Sequence, residues 1–185
     1  AHDRVGSCGR PFTFVECAVF DDDDKLLPPG EVGEIVCRGP QTMAYYWNRP
    51  EATEQAFRSG WLHTGDVGYM DKDGFYCLVD RKNDMLISGG YNVYPREVED
   101  VLMAFDGVVE AAVVGLPDEK WGDMVHAVVA GRPDLDLEAL NQFARDKLAN
   151  YKRPKGIALW PELPKSAANK ILRREVRDRL LAEKK

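Results

Sequence analysis

The chain has no long apolar run, no paired cysteines and no basic excess, and each absence narrows its class. Its longest apolar stretch, Ala111 to Leu116 with Gly115 inside, is far short of the roughly 20 residues that a membrane-spanning helix needs. The start, Ala1-His2-Asp3-Arg4, lacks the apolar core of a secretory leader. Cys8, Cys17, Cys37 and Cys77 contain no Cys-x-x-Cys pair, and three of them sit among alternating apolar residues, where a free thiol behaves as a small buried apolar group. These features predict a protein of a reducing compartment, cytoplasmic and without a membrane span. The net charge of −6 argues against nucleic acid as a partner. His63 and His126 are isolated, and no cluster of His, Cys, Asp or Glu has zinc-ligand spacing, so no metal site is expected within the chain. There is no nucleophile-elbow sequence, and Ser7, Ser59, Ser88 and Ser166 have no histidine close in sequence to suggest a hydrolase. Internal repeats and low-complexity stretches are also missing.

What is present is enough chain for two unequal parts: 185 residues, with the charge unevenly spread. From Lys165 to Lys185 there are eight basic residues against three acidic ones, so this tail is basic and the remainder strongly acidic. Such a tail suits either a polyphosphate or a solvated helix face. Residues 12 to 20 and 31 to 38 read as strands on either side of Leu27-Pro28-Pro29-Gly30. Asp21-Asp22-Asp23-Asp24-Lys25 reads as an acidic turn. Residues 49 to 57 read as a short helix, with a proline near its start and acids early. Asp71-Lys72-Asp73-Gly74, between Val67-Tyr69 and Phe75-Asp80, is a hairpin signal.

Beyond residue 84 strands and helices alternate. Pro95 opens a helix whose Val98, Val101, Leu102 and Phe105 share one face, and Leu137, Leu140, Ala144 and Leu148 form a second stripe. Leu172, Val176 and Leu180 form a third. Val108 to Leu116 and Val125 to Ala130 read as strands, with breaks at Asp106-Gly107 and Leu116-Pro117-Asp118. Tyr45, Tyr46, Trp47, Trp61, Trp121 and Trp160 are assigned to the core. The expected fold class is α+β: a mainly β part over residues 1–82, then a small compact α+β domain over residues 83–185, with a joint between them.

Three motifs carry chemistry. Trp61-Leu62-His63-Thr64-Gly65-Asp66 presents a carboxylate after a glycine, able to accept hydrogen bonds from two vicinal hydroxyls or to serve as an ordinary turn aspartate. Asp80-Arg81-Lys82-Asn83-Asp84 offers a guanidinium that suits hydroxyl and phosphate oxygens, or a surface ion pair with Asp80 or Asp84. It leads into Ser88-Gly89-Gly90, where missing side chains permit either a hairpin turn or close approach of a ligand. Pro164-Lys165-Ser166-Ala167-Ala168-Asn169-Lys170 places an ammonium on a loop before a basic helix. Together they make a kit for nucleotide chemistry.

In order, spacing and flanking residues these motifs resemble the C-terminal part of the AMP-forming acyl-CoA synthetases, within the adenylate-forming superfamily that also holds luciferases and peptide-synthetase adenylation domains. The resemblance covers nearly the whole chain. It implies that Asp66 and Arg81 bind the nucleotide, that Asn83 is the hinge, that Gly89 and Gly90 line the CoA tunnel, and that Lys170 is catalytic. It also implies carboxylic acid, ATP, Mg2+ and CoA as substrates and cofactors of an intact enzyme. The phosphate loop, acyl pocket and Mg2+ ligand would belong to a large N-terminal domain preceding residue 1. Three positions depart from the family pattern: Asn83 stands where Asp or Lys is usual, Ser166 replaces threonine, and Asn169 replaces glycine. Asparagine tolerates a left-handed backbone better than most residues, so the loop can keep its course. A peptide-synthetase-type adenylation end and a non-catalytic binding module of the same fold are the alternatives; Tyr91 to Glu99 favours the CoA ligases.

Overall fold

Strand register in the computed structural model, which describes residues 6–183, is set by turns whose chemistry is local. The start at Ala1 to Arg4 and the last two lysines of the basic tail lie outside the described residues. The chain divides into two compact units, Ala1–Asn83 and Asp84–Lys185.

The first unit is an antiparallel sheet. Its strands are β1 (Ser7–Gly9), β2 (Glu16–Phe20), β3 (Gly33–Arg38), the short β4 (Phe57–Arg58), β5 (Trp61–Met70) and β6 (Tyr76–Arg81). They lie in the order β1-β6-β5-β3-β2, with β4 paired to β5. In the acidic turn after β2, Asp21 Oδ1 accepts from the amides of Asp23 and Lys25, and Phe20 bridges to Leu26. In the hairpin between β5 and β6, Asp71 Oδ1 takes the amides of Asp73 and Phe75 while Gly74 adopts φ +80°. These aspartates offer the backbone a partner that neither helix nor ladder supplies, which is why they fix turns. Alternation along β2 and β3 builds an apolar cluster on each face: Ala18, Phe20 and Val36 in one, Val19, Ile35 and Tyr76 in the other. The helix α1 (Pro50–Ala56) starts on its proline and buries no residue.

The second unit is three-layered. Its sheet comprises β7 (Leu86–Ser88), β8 (Tyr91–Val93), β9 (Val108–Asp118), β10 (Gly122–Gly131) and β11 (Gly156–Leu159). β9 and β10 form a long antiparallel hairpin; β11 joins β10 in parallel, and β7 meets it at Gly122↔Ser88. Alternate residues of the hairpin enter different cores. Ala111, Val113, Val125, Ala127 and Val129 pack with Val98 and Leu102 of α2 (Pro95–Met103) and with Leu140 and Ala144 of α3 (Leu137–Lys147). Ala112, Val114, Leu116, Val128 and Ala130 pack with Val176 and Leu180 of α4 (Arg173–Glu183). A strand covered on both faces reads as a continuous apolar run, which explains Ala111 to Leu116. Helix α3 is capped by Asp136, whose side chain accepts from the amides of Glu138 and Ala139.

The α+β architecture and the main elements agree with the sequence reading, with three corrections. Leu116-Pro117-Asp118 is no break: β9 runs through it to Asp118, because Pro117 sits on the partner-poor edge of the hairpin, where a missing N–H costs nothing. Tyr45, Tyr46 and Trp47 are exposed rather than core; they follow Gly39 in a segment of turns with no sheet to pack on. Cys17, Cys37 and Cys77 are half-buried and Cys8 is exposed, since the first sheet is covered less completely than the second.

Candidate functional site

Asp66 owes its position to a bulge. Val36 pairs with His63 and Glu34 with Val67, so β3 advances two residues while β5 advances four. Three residues, Thr64, Gly65 and Asp66, therefore stand opposite the single residue Ile35, with Gly65 at φ +74°. Two side chains hold the bulge. The Thr64 hydroxyl donates to the carbonyl of Ile35 at 2.6 Å and accepts from the Asp66 amide at 3.1 Å. The buried Glu34 carboxylate accepts from the Gly65 amide through Oε1 at 3.1 Å.

On the neighbouring strand Arg81 is the register partner of Asp66, and its Nε lies 3.2 Å from Asp66 Oδ1. The guanidinium is 71% exposed and the carboxylate 33%, so this ion pair is worth well under about 1 kcal/mol and opens readily. A ligand carrying hydroxyls and a phosphate can replace it: hydroxyls donate to the carboxylate, phosphate oxygens accept from the guanidinium. The structure thus brings together two of the site residues that the sequence singled out. Asp80 takes the Arg81 amide at 2.8 Å, and Asp84 takes Arg173 at 2.6 Å.

His63 is not isolated. Its buried ring places Nδ1 3.1 Å from Glu34 Oε2 and 2.8 Å from Arg58 Nη2, and Nε2 is buried without a hydrogen bond, 3.7 Å from Asp24 Oδ1. Burial pushes the Glu34 carboxyl up, but hydrogen bonds from His63, Lys82 and the Gly65 amide outweigh it and hold the group below its ordinary range. Lys82 Nζ reaches Glu34 Oε2 at 3.2 Å and Asp22 Oδ1 at 2.8 Å. Burial lowers the Lys82 ammonium, yet the hydrogen bonds to Asp22 and Glu34 win and raise it. Glu34 escaped the sequence reading because its partners lie 24 to 48 residues away; a glutamate inside an apolar strand was the available signal.

Asn83 lies in a 3-10 turn, Lys82–Asp84, with its side chain exposed. Gly89 and Gly90 form the two-residue turn between β7 and β8, at φ +59° and +83°, as a type I′ hairpin requires. The Gly89 amide donates to the carbonyl of Trp121 at 2.8 Å, and a Cβ at Gly89 would stand 2.7 Å from Trp121 Cε3. The same ring walls a cavity of about 310 Å³ lined by Ser88, Tyr91, Trp121, Asn150, Tyr151 and Lys155. Tyr91 and Tyr151 are stacked with centroids 4.7 Å apart, and Lys155 Nζ lies 5.5 Å from the Trp121 ring centre. Lys170 is on a different loop, exposed, before α4. That loop is closed on itself: Ser166 donates its amide to the Lys170 carbonyl at 2.8 Å, Lys165 bridges Ile171, and Asn169 takes φ +60°. Lys165 is tied down, its Nζ 2.5 Å from Glu110 Oε1. Among the described residues no group of three or more His, Cys, Asp or Glu could hold a metal ion, and no helix is long and apolar enough to cross a membrane.

Comparison with known proteins follows the same division. Residues 1–47 match the family of AMP-binding enzymes, and residues 97–170 match the AMP-binding enzyme C-terminal domain. The chain belongs to the adenylate-forming superfamily. It is 49% identical over 174 residues to a long-chain-fatty-acid–CoA ligase of Escherichia coli, covering 94% of this chain and 31% of that protein. With a 2-succinylbenzoate–CoA ligase of Bacillus mycoides it is 46% identical over 175 residues, covering 94% and 36%. The chain therefore spans about a third of the length of the curated relatives it matches. Among solved structures, ATP-bound MatB from Rhodopseudomonas palustris superposes with a TM-score of 0.89 at 34% identity, covering 94% of this chain and 35% of that one. The o-succinylbenzoate CoA synthetase of Bacillus subtilis with its acyl-adenylate intermediate gives 0.88 at 40% identity, covering 95% and 36%.

Proposed function

We propose that this chain supplies the C-terminal part of an ATP-dependent, AMP-forming carboxylic acid–CoA ligase. The reading is carried by one observation: Asp66 and Arg81 face each other across a bulge, a carboxylate for ribose hydroxyls beside a cation for phosphate. In the first step a carboxylate oxygen of the acid bonds to the α-phosphorus of ATP, the bond to the bridging oxygen breaks, and pyrophosphate leaves. Charge grows on the phosphate oxygens, and the role of Lys170 is to stabilise it. At an effective dielectric of about 20, unit charges roughly 4 Å apart interact by about 4 kcal/mol, an upper bound of about a thousandfold in rate.

In the second step the CoA sulfur bonds to the acyl carbon and AMP leaves. The second unit turns about Asn83, withdrawing Lys170 and presenting the Gly89 turn. The cavity beside Gly89, with stacked tyrosines and one lysine, supports CoA over a carrier protein as acceptor, because it suits a heterocycle and a phosphate. ATP is bound as its magnesium complex, and the ion screens the phosphate charge. Lys170→Ala in the full-length ligase should slow adenylate formation by up to about a thousandfold while sparing thioester formation from supplied adenylate. Equal loss in both half-reactions, measured by pyrophosphate release and by thioester yield, overturns the assignment.

A further inference from the structure

Two cysteines that stand far apart along the chain meet across the first sheet. Cys17 of β2 is the register partner of Cys37 of β3, so their side chains share one face. The carbonyls of β2 decide what kind of pair this is. Cys17 O accepts from the Tyr76 hydroxyl at 2.6 Å and Val19 O from the Leu27 amide at 2.8 Å, so neither is spent on β3. Hydrogen-bonded and non-hydrogen-bonded pairs alternate in an antiparallel ladder, which makes Cys17↔Cys37 and Val19↔Ile35 the non-hydrogen-bonded ones. Cα atoms of such a pair lie about 4.5 Å apart, at the short end of the roughly 4.4 to 6.8 Å that a disulfide spans. Burial pushes the Cys17 thiol up, and the nearby Cys37 and Cys8 push it further; burial raises Cys37 as well. Both thiols are half-buried, and β2 ends the strand order, where it yields to a link more readily than a central strand. Cys77 follows Tyr76, which packs in the same cluster as Cys17, so alternation turns Cys77 to the other face. Cys8 is exposed, its thiol donating to the Tyr76 carbonyl at 3.1 Å.

The geometry points to Cys17 and Cys37 as a reversible redox modification site, a cross-strand disulfide formed by exchange with a low-molecular-weight disulfide such as oxidised glutathione. The Cys17 thiolate attacks one sulfur of the small disulfide and releases a first small thiolate; the Cys37 thiolate then attacks Cys17 Sγ, closes the S–S bond and releases the second. The two protein thiols lose two electrons to the small disulfide, and their two protons leave on the two small thiols. A link at the short end of the allowed span is more easily reduced than a relaxed one, so the pair is free in a reducing pool and closes when the pool turns oxidising. The site is independent of the proposed ligase activity.

The test is to equilibrate the chain in glutathione buffers from fully reduced to fully oxidised, quench with acid, alkylate, count free thiols by intact mass, and locate any link by non-reducing peptide mapping. Free thiols should fall from four to two, with Cys8 and Cys77 alkylated and the peptides of Cys17 and Cys37 joined, and dithiothreitol should restore all four. Cys37→Ser should stop at a glutathione adduct on Cys17, whereas Cys8→Ser and Cys77→Ser should keep the link. In urea the same buffers should scatter links among several pairs. Four free thiols in the most oxidised buffer, a link made through Cys8 or Cys77, or the same pairing in the unfolded chain overturns the assignment, and the first two are read on the unaltered chain whatever the variants do.

Discussion

Loss of Arg173 should cost the second unit more than any other single charge change. Its guanidinium forks around the edge of β9, joining α4 to the buried Glu99 of α2 by two hydrogen bonds and to Asp84 by a third. Arg173→Met leaves Glu99 at 10% exposure with the Val113 amide as its remaining donor. Breaking one partner from a buried pair typically costs about 3 to 5 kcal/mol. Because Arg173 is 28% exposed and water can reach the gap, the lower end applies, about 3 kcal/mol. For a unit of this size that corresponds to a fall in midpoint of roughly 12 to 24 °C. Adding Glu99→Gln removes the stranded charge while its carbonyl still accepts from Val113, so the double variant should recover to within about 1 kcal/mol of the original. Guanidinium unfolding followed by amide resonances of β9 and β10 measures all three proteins. A single variant that loses less than about 1 kcal/mol, or a double variant as unstable as the single, refutes the reasoning.

Two further outcomes follow from the same geometry. Glu34 has a lowered pKa in the folded state, so its stabilising contribution is present above the ordinary glutamate value and is lost as pH falls through the lowered one. The first unit should therefore loosen below about pH 4, and Glu34→Gln should flatten that acid limb in a pH series of thermal midpoints; an unchanged slope counts against the network. Gly89→Ala sets a methyl 2.7 Å from Trp121 Cε3 in a left-handed turn, costing about 1 to 2 kcal/mol in stability. Under the proposed function, the same substitution in the full-length protein should depress thioester formation more than adenylation, and the reverse ratio would exclude the turn from the second step.

Legibility tracked distance along the chain. The helices at Pro95 and Leu137, the hairpin at Asp71 to Gly74 and the apolar run at Ala111 were readable because a proline, an aspartate or a periodicity announces each within a few residues. The positions of Asp66 and Arg81 on facing strands were half readable: the residue types pointed to a ligand, while the bulge that aims Asp66 depends on a two-residue mismatch with β3. Glu34 and Arg173 were invisible in that respect, since their partners are 24 to 89 residues away and nothing local marks them. The aromatic trio Tyr45 to Trp47 misled for the opposite reason, since side-chain type alone suggests burial and only the absence of a covering sheet denies it.

The hairpin of β9 and β10 has a cost during synthesis. Its apolar residues on one side are covered by α4, whose Val176 and Leu180 are made some fifty residues after the hairpin itself. Until that last helix leaves the ribosome, a stripe of valines and alanines stands open to any neighbouring strand, a setting that invites aggregation. Chaperone demand for this segment should accordingly end when residues beyond Leu180 emerge, and a nascent chain stalled before Val176 should be the form that precipitates.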